Sequence, residues 1–206
     1  MSGPGTRAVL LLGLLGALAL RWPAVAGGYQ DDDYIQAAML DGEFWIERGP
    51  LDLFWFAGRD AVEQRALVEH GYLPWWTHPQ HRVAMLRPFA SGLLALEHAL
   101  GLSPQAQHAI GLLCFGLCLW AAYRFLSDLL PTWTAVAATL VYALDEAHGA
   151  PTSWLANRST LISTALALVA CTSYVRARTR TPERALPPAR TFALLLLAFL
   201  SGEFCS

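Results

Sequence analysis

Residues 8–20 read AVLLLGLLGALAL, and residues 27–34 read GGYQDDDY. The first run is apolar and uncharged; the second sets three consecutive carboxylates just beyond it. Arg7 precedes the apolar run, and Arg21, Trp22 and Pro23 close it. Two readings fit. With a basic start and a short apolar core, the small residues Ala24 and Ala26 describe a signal-peptide cleavage site. Alternatively, residues 1–26 form a retained first transmembrane helix or signal-anchor, its apolar core short of the ~20 residues of a full span. Both readings send Gly27 onward across the membrane.

The composition points to lipid as the solvent. Of 206 residues, 55% are hydrophobic and 15% charged, where a soluble domain carries about 25% charged residues. Ten of the sixteen acidic residues lie between Gly27 and Leu86, so the charge is concentrated in one segment. All fourteen basic side chains are Arg, a bias expected of a high-GC bacterial genome and hence of a bacterial inner membrane. No basic stripe interleaved with aromatics is present, so nucleic acid is set aside as a partner. Cys114, Cys118, Cys171 and Cys205 sit in or beside apolar runs and read as small buried packing residues.

Residues 27–106 form the polar portion. It should hold a short helix after the Asp cluster, a turn near Gly49-Pro50 and an amphipathic helix from Asp60 to His70 stopped by Gly71. Trp55, Trp75 and Trp76 are aromatics of the kind found at headgroup level. In residues 87–100, Phe89, Leu93, Leu96 and Leu100 fall on one helical face, with Arg87, Ser91, Glu97 and His98 off it. That pattern predicts an amphipathic helix lying along the interface.

Residues 107–206 carry further apolar runs, giving transmembrane helices near 108–126, 132–146, 159–175 and 191–206. The loop from Arg176 to Arg190 holds five Arg and one Glu, which assigns it to the cytoplasmic side. Counting back places Asp145 to Arg158 outside, Arg124 to Pro131 inside, Gly27 to Leu86 outside and Arg7 inside. The fold class expected is therefore all-α integral membrane, multi-pass, with about five transmembrane helices and a cytoplasmic N-terminus. Its first extracytoplasmic loop is large and contains amphipathic interfacial helices. The chain reads like the front part of a longer membrane protein.

Chemistry-bearing groups gather on the outer face. Asp31, Asp32 and Asp33 repel one another, which raises the pKa of some of them and suits a general base. They also offer oxygen ligands for a divalent cation, although an EF-hand is ruled out by spacing and no cofactor or metal is assigned. A capping turn would account for one of the three. Asp145 and His148 leave one span as Arg158 begins the next, and Glu203 follows Ser201-Gly202 at the end of the last run. Ionisable residues at such depth usually face a cavity or pathway, with interfacial snorkelling as the plain alternative. Arg87 could meet a phosphate bidentately. His70, His78 and His81 lack metal-ligand spacing and read as solvated loop residues.

The order of these features resembles the C-type (GT-C) glycosyltransferases, and within them the bacterial relatives of the transmembrane and tetratricopeptide-repeat O-mannosyltransferases. The likeness runs through Asp31-Asp32-Asp33-Tyr34, Leu86-Arg87-Pro88-Phe89, and Gly101-Leu102-Ser103-Pro104 with His108. It continues through Ala147-His148-Gly149-Ala150-Pro151, Trp154-Leu155-Ala156-Asn157-Arg158 and Ser201-Gly202-Glu203, where Gly202 stands for a family Lys. The resemblance implies inverting transfer of a sugar from a polyprenyl-phosphate donor in the membrane to an acceptor hydroxyl. Asp32 or Asp33 would be the catalytic base, and Arg87 or Arg158 would neutralise the leaving phosphate. Asp31, Asp145, His148 and Glu203 would line the substrate site. The competing expectations are a non-enzymatic polytopic protein, such as a transporter part or assembly scaffold, and an inactive truncated relative.

Overall fold

The computed structural model describes residues 4–180 and 187–202. Helix dominates. The elements are α1 (Pro4–Arg21), α2 (Asp32–Asp41), β1 (Trp55–Ala57), α3 (Ala61–Glu69), β2 (Val83–Ala84), α4 (Pro88–Ala99), α5 (Pro104–Leu129), α6 (Thr132–Leu144), α7 (Gly149–Ser153), α8 (Ser159–Arg180) and α9 (Ala189–Ser201). A 3-10 turn, Trp22–Ala26, prolongs α1, and another, Ala156–Arg158, leads into α8.

Among the described residues, three segments are long and apolar enough to cross a membrane: Pro4–Ala26, Pro104–Leu129 and Ala156–Arg180. The expected spans at 132–146 and 191–206 are represented by α6 and α9, of 13 residues each. At 1.5 Å per residue each covers about 20 Å, short of a hydrocarbon core of about 30 Å. α6 stops early because Asp145 turns the backbone out of helix and its carboxylate accepts the Ala147 N–H at 2.9 Å. Residues 203–206 of the last expected span lie outside the described residues.

The burial pattern is the reverse of a soluble bundle. One core is built from Ala17, Phe115, Leu119, Ala143 and Leu161, from α1, α5, α6 and α8. On α1, Leu10 and Ala17 are buried and Leu14 and Leu18 pack against this core, while Leu11, Leu12 and Leu15 are exposed. Gly13 leaves room for Leu140 of α6, which a Cβ would overlap. Small residues at helix contacts with leucines outside are what packing in lipid requires, because lipid tails remove the hydrophobic incentive to bury leucine. Cys118 is buried, but Cys171 is exposed, so not every cysteine is a buried packing residue.

The second core lies in the polar portion, between α2, β1, α4 and the turn before α8. It contains Met39, Leu53, Phe54, Phe56, Ala90, Leu94, Leu155 and Ala156. The expected short helix after the Asp cluster is α2. The Gly49-Pro50 turn closes with Asp52 N–H donating to the Gly49 carbonyl at 2.9 Å. The helix expected from Asp60 to His70 is α3; the Asp60 carboxylate accepts from the Val62 and Glu63 N–H groups, and Gly71 takes φ 75° after it. The β1–β2 ribbon, antiparallel with Trp55 opposite Ala84, was not anticipated. Strands of three and two residues are too short to show an alternating pattern.

α4 starts at Pro88, with Arg87 as its N-cap residue. The stripe read from the sequence faces outward: Phe89, Leu96 and Leu100 are exposed. The polar residues opposite, Ser91 and Glu97, are buried together with Ala90 and Leu94. An amphipathic helix in water would bury the other face.

The polar portion depends on a buried ion pair. Arg48 meets Glu63 through two parallel hydrogen bonds of 3.0 and 2.8 Å, and its Nε donates to the Trp55 carbonyl at 2.6 Å. Removing one member leaves the other charge buried and alone. Arg48→Met is expected to destabilise the protein by about 3–5 kcal/mol in a urea titration in detergent, and adding Glu63→Leu should recover most of the loss.

Candidate functional site

Asp33 is held from three sides. It is 4% exposed, and its carboxylate accepts from the Gln30 N–H at 3.0 Å, the Ala156 N–H at 2.7 Å and the Leu155 N–H at 3.3 Å. The first bond closes the start of α2. The other two satisfy N–H groups in the turn that begins α8, which an isolated helix would leave unpaired. Burial pushes the Asp33 carboxyl above the ordinary range, opposed by these N–H bonds. The adjoining cavity, bordered by Tyr29, Gln36, Leu94 and His98, has a volume of about 20 Å³, enough for about one water. Asp33 is thus an anchor between two segments and not an open base.

Asp32 is the neighbour that remains accessible. It is half-buried. Burial, then the charges of Asp31 and Asp33, push its carboxyl above the ordinary range, while Arg87 opposes the shift. The Asp32 charge in turn helps to raise the Tyr72 hydroxyl, after burial, which sets that phenol near the same carboxylate. Asp31 is exposed and carries φ 39°, ψ −110°, a conformation that L side chains rarely adopt. Such a strained position, beside the half-buried carboxylate, is of the kind that clusters at functional sites. The three aspartates do not converge, and among the described residues no group of three or more His, Cys, Asp or Glu side chains is placed to hold a metal.

Arg87 reaches this neighbourhood from the start of α4. It donates to the Ser159 hydroxyl at 3.2 Å, and its guanidinium lies 5.1 Å from the centre of the Phe54 ring. Ser159 is the first residue of α8, so Arg87 and Asp33 grip the same helix start from two elements.

Arg158 is placed differently from its sequence-based assignment. It is 2% exposed, donating to Glu97 at 2.7 Å and to the Gln107 carbonyl at 2.9 Å. A guanidinium enclosed in this way ties α4, α5 and α8 together and has no open face for a phosphate. Glu97 lies equally deep, and burial pushes its carboxyl up while Arg158 draws it down. Two further buried polar residues were given no site role from the sequence. Gln107 donates to the Tyr29 hydroxyl at 3.3 Å, and His108 Nε2 sits 3.0 Å from the Gly28 carbonyl. The helical phase of Glu97 with Gln107 and His108 at the start of the next span was the available signal.

Asp145 and His148 form a separate group. Asp145 is exposed; its carbonyl accepts from Arg21 at 2.7 Å. His148 is buried against Tyr142 and Phe115, at centroid distances of 4.5 and 5.1 Å. Burial holds its imidazole below the ordinary range, with Arg21 adding to the effect. The pair lies at the same end of the bundle as Asp32 and Arg87, joined to them through residues 149–158. Glu203 lies outside the described residues.

No family model, curated protein or solved structure matches the chain. The geometry by itself therefore has to sort these residues. It brings Asp32, Arg87 and Tyr72 into one neighbourhood and makes Asp33 and Arg158 structural. The two aspartates should separate in a stability measurement. Asp33→Asn, which removes a charged acceptor of three N–H groups, is expected to cost about 1.5–3 kcal/mol of unfolding free energy. Asp32→Asn should stay within about 0.5 kcal/mol of wild type.

Proposed function

We propose that the chain forms the membrane module of a GT-C-type glycosyltransferase, which moves a sugar from a polyprenyl-phosphate donor to an acceptor hydroxyl on the extracytoplasmic face. The observation that carries this is the pairing of a half-buried carboxylate of raised pKa, Asp32, with a guanidinium within its electrostatic reach, Arg87. A base and a phosphate-binding cation within electrostatic reach of one another are the two groups such a transfer needs. The order of motifs adds the resemblance to the transferase family. The packing of α1 against the other helices favours a retained first helix over a cleaved signal peptide.

In this scheme the acceptor hydroxyl gives its proton to the Asp32 carboxylate. The oxygen's electron pair attacks the anomeric carbon of the donor from the face opposite the phosphate. The anomeric carbon–oxygen bond to phosphate breaks, its electrons leave with polyprenyl phosphate, and Arg87 neutralises that anion. The configuration at carbon inverts. The Tyr72 hydroxyl lies within electrostatic range of Asp32 and would be available to the acceptor or sugar. A carboxylate with raised pKa is the stronger base near neutral pH. Asp145 and Arg21 border the same end and would contact the outlying part of the substrate. The rival, a non-enzymatic polytopic scaffold, draws support from the enclosure of Asp33 and Arg158, which are spent on internal bonds.

The test is sugar release from a polyprenyl-phosphate sugar by the membrane-reconstituted protein. Asp32→Asn should lower the rate by a factor of about 10²–10⁴. An Asp32→Asn protein as active as wild type would remove Asp32 as the base. The acid limb reports on the same group. Asp32 is active when deprotonated, so the rate should hold above its raised pKa and fall as pH drops through it. Asp31→Asn removes one of the charges that raise that pKa and should move the limb to lower pH.

Sidedness has its own test. In a background with the native cysteines replaced by serine, a cysteine at Asp60 should react with an impermeant thiol reagent from outside intact cells. A cysteine at Arg180 should react only after permeabilisation. The reverse pattern would invert the topology and place the Asp32 site in the cytoplasm.

A further inference from the structure

At the end of the bundle away from Asp32, the helices enclose a second polar site. α8 and α5 meet there through Arg176, which holds Asp128 with bonds of 2.7 and 3.1 Å. α9 begins beside them; Arg190 donates to the Ser173 hydroxyl at 2.7 Å, and Ser173 exchanges a 3.0 Å bond with Thr191. Between the three helices lies a cavity of about 170 Å³, into which Arg124, Arg176 and Arg190 all border. Its other wall is apolar, formed by Trp120, Val169 and Leu194.

Among the described residues the charges do not balance: three guanidiniums face one carboxylate, Asp128, an excess of two positive charges at the cavity. Only two of the five N–H donors of Arg176 go to Asp128. Arg124 is exposed, and no hydrogen bond or ion pair ties it to another described residue. Cationic side chains at the end of a span are stable when an anion or water meets them. Here the guanidiniums stand over an apolar wall that includes an exposed tryptophan, an aromatic suited to headgroup depth. A site cationic at its rim and apolar below matches a phosphodiester with hydrocarbon beneath it.

We propose that this cavity binds the phosphate of an anionic phospholipid, with Arg124, Arg176 and Arg190 on the headgroup and Trp120, Val169 and Leu194 against the first part of an acyl chain. The shared chemistry is a phosphate. The lipid is preferred to a free anion because the cavity opens between bundle helices and half its wall is hydrocarbon. Basic pockets between transmembrane helices at the cytoplasmic surface take lipid headgroups of this kind. The bound lipid would bridge α5, α8 and α9, adding to the Arg176–Asp128 and Arg190–Ser173 links. It is independent of the transferase proposal, since no residue is shared with the Asp32 site.

The experiment is native mass spectrometry of the detergent-purified chain with equal amounts of phosphatidylglycerol and phosphatidylcholine of identical acyl chains. Phosphatidylglycerol should be retained several-fold more. Arg124→Gln removes a guanidinium that holds nothing in the fold and should cut the preference about fivefold, the equivalent of about 1 kcal/mol per basic residue. Arg190→Gln should act similarly. Arg65→Gln, on α3 in the polar portion, should leave the preference unchanged. Inorganic phosphate added in excess should fail to displace the lipid. Equal retention of the two lipids would overturn the site. So would an unchanged preference in Arg124→Gln and Arg190→Gln together, or a loss in Arg65→Gln as large as theirs. Displacement by inorganic phosphate at a concentration comparable with the lipid's would overturn the lipid assignment and leave a simple anion site.

Discussion

A guanidinium cut off from water must find its counter-charge and its acceptors within the protein, and Arg158 sets that demand at the centre of this fold. Its charge is met by Glu97 of α4 and one of its N–H groups by the Gln107 carbonyl of α5. Breaking a pair this deep leaves a buried charge uncompensated, which costs several kcal/mol. Three elements are therefore fixed relative to one another by a single side chain. α4 has to turn the face carrying Ser91 and Glu97 inward, with Leu94 beside them in the second core, so Phe89, Leu96 and Leu100 are left facing outward. An exposed apolar stripe on α4 follows from the ion pair, and lipid is the environment that tolerates it.

The same helix start carries the anchors of the second core. Residues 155–159 receive Asp33 at the Leu155 and Ala156 N–H groups and Arg87 at the Ser159 hydroxyl. Leu155 and Ala156 also pack into the core shared by α2, β1 and α4, while Leu161, a turn and a half on, belongs to the core among α1, α5 and α6. Five residues thus join the polar portion to the bundle. The charged groups of this end of the bundle collect there because that junction leaves helix N–H groups and a buried cation to satisfy.

Much of this was legible from residue pattern. Apolar runs gave α1, α5 and α8 as membrane-length helices, Asp60 and Gly71 bounded α3, and the Pro-led starts of α4 and α5 were visible as such. That these charged groups share one end of the bundle was legible too: Asp32, Arg87, Asp145, His148 and Arg158 lie toward the same end. What pattern could not supply was partnership. Arg158 and Arg87 look alike in sequence, each a lone Arg at the start of a helix, yet one is sealed by Glu97 and the other stands near a carboxylate. Glu97 lies 61 residues from Arg158, and no local periodicity connects them. The Arg48–Glu63 pair was hidden for the same reason, and α6 ends two residues before its expected span because the turn at Asp145 is decided by backbone, not by hydropathy.

The two adjacent aspartates gain their different roles from helix geometry. Successive residues of an α-helix project about 100° apart. Once Asp33 is drawn into the protein by the N–H groups of Leu155 and Ala156, Asp32 cannot follow it. It emerges at the edge of the cap, half-buried, with Asp33 and Asp31 on either side raising its proton affinity and Arg87 limiting the rise. The anchored carboxylate thus does two things for its neighbour: it fixes the direction in which Asp32 points, and it tunes how strongly Asp32 holds a proton. Three consecutive aspartates, costly as a bare acidic turn, make physical sense as one anchor, one accessible carboxylate of raised proton affinity and one charge that adjusts it.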